Sequence, residues 1–154
     1  MKLAVIGTGY VGLVTGVCLS EIGHTVTCID IDENKVEKMQ KGESPIYEPG
    51  LGELMKKNID EQRLFFTSDY HEGLEQAEVI YIAVGTPEKP DGSADLTYIE
   101  AAAKSIATAI TKDAIVVTKS TVPVGTNRKI KQIIQENLRN KEKVDIVSNP
   151  EFLK

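Results

Sequence analysis

Six short apolar runs punctuate this chain, most of them separated by longer segments with apolar residues at helical spacing. The runs are Lys2–Ile6, Thr25–Ile31, Leu64–Thr67, Val79–Val84, Ala114–Thr118 and Val144–Val147. They are rich in β-branched residues and too uniformly apolar for strands with one wet face. Strands of that kind belong to a parallel sheet covered on both sides. The intervening segments Val11–Ile22, Glu33–Lys41, Thr97–Ile110 and Thr126–Leu138 read as helices. Strands alternating with helices predict a doubly wound, Rossmann-type α/β sheet of about six strands in one domain, in the order 3-2-1-4-5-6.

Local signals refine the pattern. In the first helix Val11, Val14, Cys18 and Ile22 have the spacing of a single face, which predicts that they point inward. Gly23-His24 ends that helix. In the second helix Val36 and Met39 are the inward pair. Thr97 and Glu100 have capping-box spacing at the start of the third. Two connections exceed a tight turn, Gly42–Gly50 and Gly85–Asp95, and loops of that size in a compact α/β unit often serve a site.

Composition excludes several classes. The 154 residues suffice for one domain with a core, and the net charge of -5 without a Lys/Arg cluster argues against a nucleic-acid partner. No apolar run reaches the roughly 18 residues of a membrane-spanning helix. Met1-Lys2 leads directly into an apolar segment that reads as a strand and not as a signal peptide. Cys18 and Cys28 have neither CxxC nor Cys/His spacing, so reduced thiols in a cytoplasmic protein are expected and a metal site is not. Both are read as small core residues, since neither has a basic neighbour to activate it.

The first strand runs into Gly7-Thr8-Gly9-Tyr10-Val11-Gly12. A GxGxxG string alone serves many turns, but here a strand precedes it, a helix follows it, and the next strand ends in an acid. Gly7 permits the tight turn, Gly9 lets a pyrophosphate approach the backbone, and Gly12 lets the helix pack on the sheet. The helix N-terminus then offers free N–H groups and a positive dipole to phosphates. The acid is Asp30, 18 positions after Gly12, placed to accept hydrogen bonds from a ribose 2′-hydroxyl. A 2′-phosphate would meet like charge there, so NAD is expected in preference to NADP. Asp32 is the rival. Strand alternation puts both carboxylates on one side, and spacing separates them poorly.

Further strings extend this reading. Ile6–His24 (IGTGYVGLVTGVCLSEIGH), Ser44–Leu51 (SPIYEPGL), Ala83–Pro87 (AVGTP), Asp91–Ile99 (DGSADLTYI), Lys119–Thr126 (KSTVPVGT) and Ser148–Leu153 (SNPEFL) occur in this order. Together they closely resemble the N-terminal domain of the UDP-glucose/GDP-mannose dehydrogenase family, and the resemblance covers essentially the whole chain. It implies an enzyme that oxidises the C6 alcohol of a nucleotide sugar to a carboxylate in two NAD-dependent steps through a cysteine nucleophile. UDP-glucose is the implied sugar nucleotide, with GDP-mannose or UDP-N-acetylmannosamine as alternatives, and the parent enzyme is implied to be a homodimer.

By resemblance, Val11, Asp30, Lys35, Thr86 and Thr121 match NAD-contacting positions, alongside Gly7, Gly9, Tyr10 and Gly12 of the fingerprint. Thr121 also matches a residue associated with the catalytic water. Glu151, Phe152, Leu153 and Lys154 match the start of a loop that holds the nucleotide sugar. The family's nucleophile and sugar-binding domain follow that loop, so the chain reads as an excised or truncated cofactor domain, expected to bind NAD without turning over by itself. Two rivals remain at this level: a stand-alone dinucleotide-binding regulatory module, and an α/β domain whose fingerprint binds nothing.

Overall fold

In the computed structural model, residues 1–139 and 141–150 are described. The expected sugar-loop residues Glu151, Phe152, Leu153 and Lys154 lie outside them. The strands are β1 (Lys2–Ile6), β2 (Thr25–Ile29), β3 (Leu64–Thr67), β4 (Val79–Ile82), β5 (Ala114–Thr118) and β6 (Val144–Ser148). The helices are α1 (Tyr10–Glu21), α2 (Glu33–Gln40), α3 (Leu51–Asp60), α4 (Tyr70–Leu74), α5 (Thr97–Ala109) and α6 (Thr126–Asn137). All strand pairs are parallel, in the expected order β3-β2-β1-β4-β5-β6.

Side-chain alternation divides the core into two layers. Ala4 and Ile6 of β1 join Ile80 and Ile82 of β4 under α5 and α6, where Ile99, Ala103, Ile106, Ile130 and Ile134 are buried. Leu3 and Val5 point the other way, toward Leu13 and Val17 of α1, Val36 and Met39 of α2, and Met55 of α3. The register Leu3↔Val26 and Leu3↔Val79 keeps these layers aligned across the three central strands. Among the described residues, no helix is long and apolar enough to cross a membrane.

The structure corrects the reading of α1. Its buried residues are Gly12, Leu13, Gly16, Val17 and Ser20. Cys18 is exposed and Ile22 is 71% exposed, while Val11 and Val14 are only half-buried, with Val14 packed at the edge of the core, so the predicted Val11/Val14/Cys18/Ile22 face is not the one that meets the sheet. The reason is close packing. A Cβ on Gly12 would stand 1.9 Å from the Gly7 carbonyl oxygen, and one on Gly16 would stand 2.4 Å from Cys28 Sγ. The face that touches the sheet is therefore marked by missing side chains beside Leu13 and Val17, and is rotated from the predicted one. Cys28 is buried as expected.

Two helices, α3 and α4, occupy segments to which the sequence reading assigned no element. The capping box at α5 is not formed either. Thr97 is the first helical residue, and its N–H (2.9 Å) and hydroxyl (2.6 Å) both donate to Asp95 Oδ1. Glu100 instead receives Lys129 Nζ at 2.6 Å, which joins α5 to α6.

Candidate functional site

Gly7, Gly9 and Gly12 lie in or beside the turn from β1 into α1, and their demands differ. Gly7 has φ +91, and a Cβ there would meet the Ala83 carbonyl oxygen at 2.7 Å. Its N–H donates to Ile29 O at 2.8 Å, tying the turn to β2. Gly12 is required by the contact with Gly7 described above. Gly9 is different. Its backbone is extended at φ -66, and a Cβ there would meet nothing within 4 Å. The fold does not ask for glycine at this position. It is the N-cap of α1 and contributes no side-chain cap. The first-turn N–H groups have no partner within the helix, and the space beside Gly9 is open. An anion suits that space.

Beside this turn the two candidate carboxylates take different jobs. Asp32 is the N-cap of α2 and accepts the Lys35 N–H at 3.2 Å. Asp30, just past the end of β2, lines the cleft next to Gly9. Its Oδ2 accepts the Thr8 N–H (3.0 Å), the Thr8 hydroxyl and Lys35 Nζ (2.8 Å), and its Oδ1 accepts the Asp32 N–H at 3.1 Å. Burial pushes the Asp30 carboxyl up. The Lys35 ammonium, the Thr8 hydroxyl and the backbone N–H groups of Asp32 and Thr8 outweigh that and hold it below the usual carboxylate range. Lys35 is thus an ion-pair partner of Asp30, not a merely solvated lysine.

Two clefts flank Gly9. One, of about 360 Å³, runs past Asp30 between Ile31 and Tyr98, with Ala101 and Ala102 of α5 in its wall. The other, of about 260 Å³, is lined by Tyr10, Val11, Thr86, Lys119, Ser120 and Thr121. Gly9 and the segment 83–85 line both. This seam lies at the C-terminal ends of β1 and β4, where the strand order reverses, which is where open α/β sheets bind ligands.

The second cleft is held by backbone. Ile82 O accepts the N–H groups of Lys119 (2.9 Å) and Ser120 (3.1 Å). The Ser120 hydroxyl donates to Val84 O at 2.7 Å, and the Thr86 hydroxyl donates to Thr121 O at 3.0 Å. Thr121 is exposed at the cleft wall. Neither cysteine lines either cleft. Burial pushes the Cys28 thiol up to about 12, which makes it inert at neutral pH.

The structure therefore brings together Gly7, Gly9, Tyr10, Val11, Asp30, Thr86 and Thr121 around one seam, with Gly12 packed behind the turn against Gly7 and Lys35 paired to Asp30. Sequence reasoning missed Thr8 and Ser120. Both are buried hydroxyl residues whose partners lie 22 and 36 positions away, so no local pattern announces them.

A doubly wound parallel sheet with an open helix N-terminus and a strand-end carboxylate lining the cleft beside it defines a dinucleotide-binding domain of the Rossmann type. All 154 residues match the family described as the UDP-glucose/GDP-mannose dehydrogenase family, NAD binding domain, and the chain belongs to that family. A UDP-glucose 6-dehydrogenase of Bacillus subtilis, YwqF, is 60% identical over 100% of this chain and 35% of its own length. The solved UDP-glucose dehydrogenase of Pyrobaculum islandicum superposes with a TM-score of 0.93 at 40% identity, over 99% of this chain and 36% of that one. A GDP-mannose dehydrogenase of Pseudomonas aeruginosa, solved as a ternary complex, gives 0.94 at 36% identity, over 100% and 37%. The chain thus spans about a third of the length of these relatives.

Proposed function

We propose that this chain is the cofactor-binding part of a cytoplasmic enzyme that oxidises UDP-glucose to UDP-glucuronate in two NAD-dependent steps. UDP-glucose is favoured as substrate over GDP-mannose because the named UDP-glucose 6-dehydrogenase is 60% identical, against 36% for the GDP-mannose enzyme. The observation that carries the cofactor assignment is the separation of the two carboxylates. Asp32 is used as a helix cap, while Asp30 lines a cleft beside an uncapped helix N-terminus.

In this reading the α1 N-terminus at Gly9 holds the pyrophosphate and Asp30 accepts a ribose hydroxyl. The slot between Ile31 and Tyr98 takes the adenine. Tyr10, Val11, Thr86 and Thr121 surround the nicotinamide end, and Thr121 positions the water that would hydrolyse the cysteine thioester left by the second oxidation. Bound NAD supplies the hydride acceptor. Glu151, Phe152, Leu153 and Lys154 belong to the nucleotide-sugar loop.

The test is calorimetric titration of the 1–154 polypeptide with NAD and with NADP. NAD binds more tightly in the unmodified chain. Asp30→Ala weakens NAD by about 10- to 100-fold, the worth of a charge-assisted hydrogen bond, and leaves NADP unchanged or improved. Equal affinities for both cofactors in the unmodified chain would overturn the assignment.

A further inference from the structure

We propose that Thr8 is the positioning residue that sets Asp30 for its ribose and so enforces the choice of NAD over NADP. The proposal rests on the reading of Asp30 as the ribose acceptor. Thr8 occupies a position of the glycine fingerprint that accepts any residue type, and nothing in the motif calls for a hydroxyl. Its side chain is nonetheless fully buried at 0% exposure, and both its N–H and its hydroxyl donate to the same oxygen, Asp30 Oδ2.

The acceptor arithmetic at Asp30 gives this pairing its consequence. An ionised carboxylate has about four lone-pair positions, two on each oxygen. Oδ2 is crowded by three donors, Thr8 N–H, Thr8 hydroxyl and Lys35 Nζ, one more than its two positions serve. Oδ1 takes only the Asp32 N–H and keeps an acceptor position for a ribose hydroxyl. Of the side-chain donors, Lys35 is long, rotatable and 25% exposed, so it is the one that yields when a ligand arrives. Thr8 is short and enclosed. It stays, and it keeps Oδ2 turned inward so that Oδ1 remains the oxygen on offer. Because Thr8 sits between Gly7 and Gly9, it also makes the phosphate turn and the ribose acid one rigid unit.

The experiment measures dissociation constants for NAD and NADP by calorimetry on the 1–154 polypeptide and on Thr8→Val, Thr8→Ala and Thr8→Ser, with thermal melts to establish folding. Thr8→Val removes the hydroxyl and keeps the branched shape. It should weaken NAD about tenfold and NADP much less, so that the NAD/NADP ratio falls by nearly the same factor. Thr8→Ser restores the hydroxyl and should return the ratio to within about twofold of the original. A merely structural threonine would lower the melting temperature without moving the ratio. Should Thr8→Val not fold, Thr8→Ala, which adds no atom, carries the same expectation. A ratio unchanged in a folded hydroxyl-free variant overturns the proposal, as does a serine variant that behaves like valine. An unmodified chain with no preference for NAD overturns the Asp30 reading itself, and a preference that survives in Thr8→Val overturns only the part assigned to Thr8.

Discussion

Gly9→Val separates binding from folding more cleanly than any other change in the glycine turn. The structure allows the cost of each to be worked out. A Cβ at Gly9 meets nothing within 4 Å, and its φ of -66 is open to any L-residue. Replacing glycine at a compatible position stiffens the unfolded chain and gains about 0.4–1 kcal/mol. Loss of a tolerated N-cap glycine costs a comparable amount. Stability should therefore change by less than about 1 kcal/mol.

Binding is another matter. The valine branches enter the space above the first-turn N–H groups, and each charge-assisted hydrogen bond denied to a pyrophosphate costs about 1.5–3 kcal/mol. Loss of two such bonds weakens NAD by roughly 10²- to 10⁴-fold. Gly12→Ala is the contrasting control. Its Cβ would lie 1.9 Å from Gly7 O, so helix or turn must move, at the upper end of the 1–3 kcal/mol typical of overpacking or beyond it. Urea melts and NAD calorimetry on both variants give the result. A folded Gly9→Val that binds NAD within threefold of the original, or one that unfolds as readily as Gly12→Ala, would refute the division between a glycine kept for ligand and a glycine kept for packing.

Two further outcomes concern Asp30 and Gly16. The Asp30 carboxyl titrates below the ordinary value of about 3.9, so the stability it contributes is complete above that value and is lost as pH falls through its lower folded value. The stability gap between the original chain and Asp30→Asn should stay constant from about pH 7 to 5 and close only below about 4; a gap already closing near 6 in urea melts contradicts the donor set described here. Gly16→Ala gains about 1 kcal/mol of helix propensity but sets its Cβ 2.4 Å from Cys28 Sγ, so it should destabilise the original chain and stabilise a Cys28→Ala background. Additive melting shifts in that double-mutant cycle would show that Sγ is not the obstacle.

How far the fold could be read from the sequence depends on which elements advertise themselves. Each strand is an apolar run bounded by a glycine, a turn or a polar segment. All six were recovered to within two residues at either end, and the sheet order followed from their alternation with helices. Helix α3 has no local start signal, because its N-cap is Gly50 in the left-handed region with no side-chain cap. At five residues, α4 is too short to show a period. The apolar spacing of α1 points to Val11, Val14, Cys18 and Ile22, whereas the sheet accepts only Gly12 and Gly16 where backbone and Cys28 come closest, with Leu13 and Val17 buried beside them. Helix α2 shows the opposite case, with no close approach, and Val36 and Met39 are buried as read.

The site divides along the same line. The glycines and Asp30 were legible because their chemistry is local: a turn, a helix start and a strand end within one βαβ unit. What distinguishes Asp30 from Asp32 is not local. It is a competition for jobs, settled when α2 begins at Glu33 and takes Asp32 as its cap. Thr8 and Ser120 depend on partners brought together only by the parallel sheet. Ser120 has the wider consequence, because its acceptor, Val84 O, belongs to the segment that lines both clefts. Through that bond and the two N–H donations to Ile82 O, the exit of β5 is fixed against the backbone carbonyls at the exit of β4. The wall bearing Thr121 is thereby held against the segment shared by both clefts, and its position does not wait for a ligand to order it.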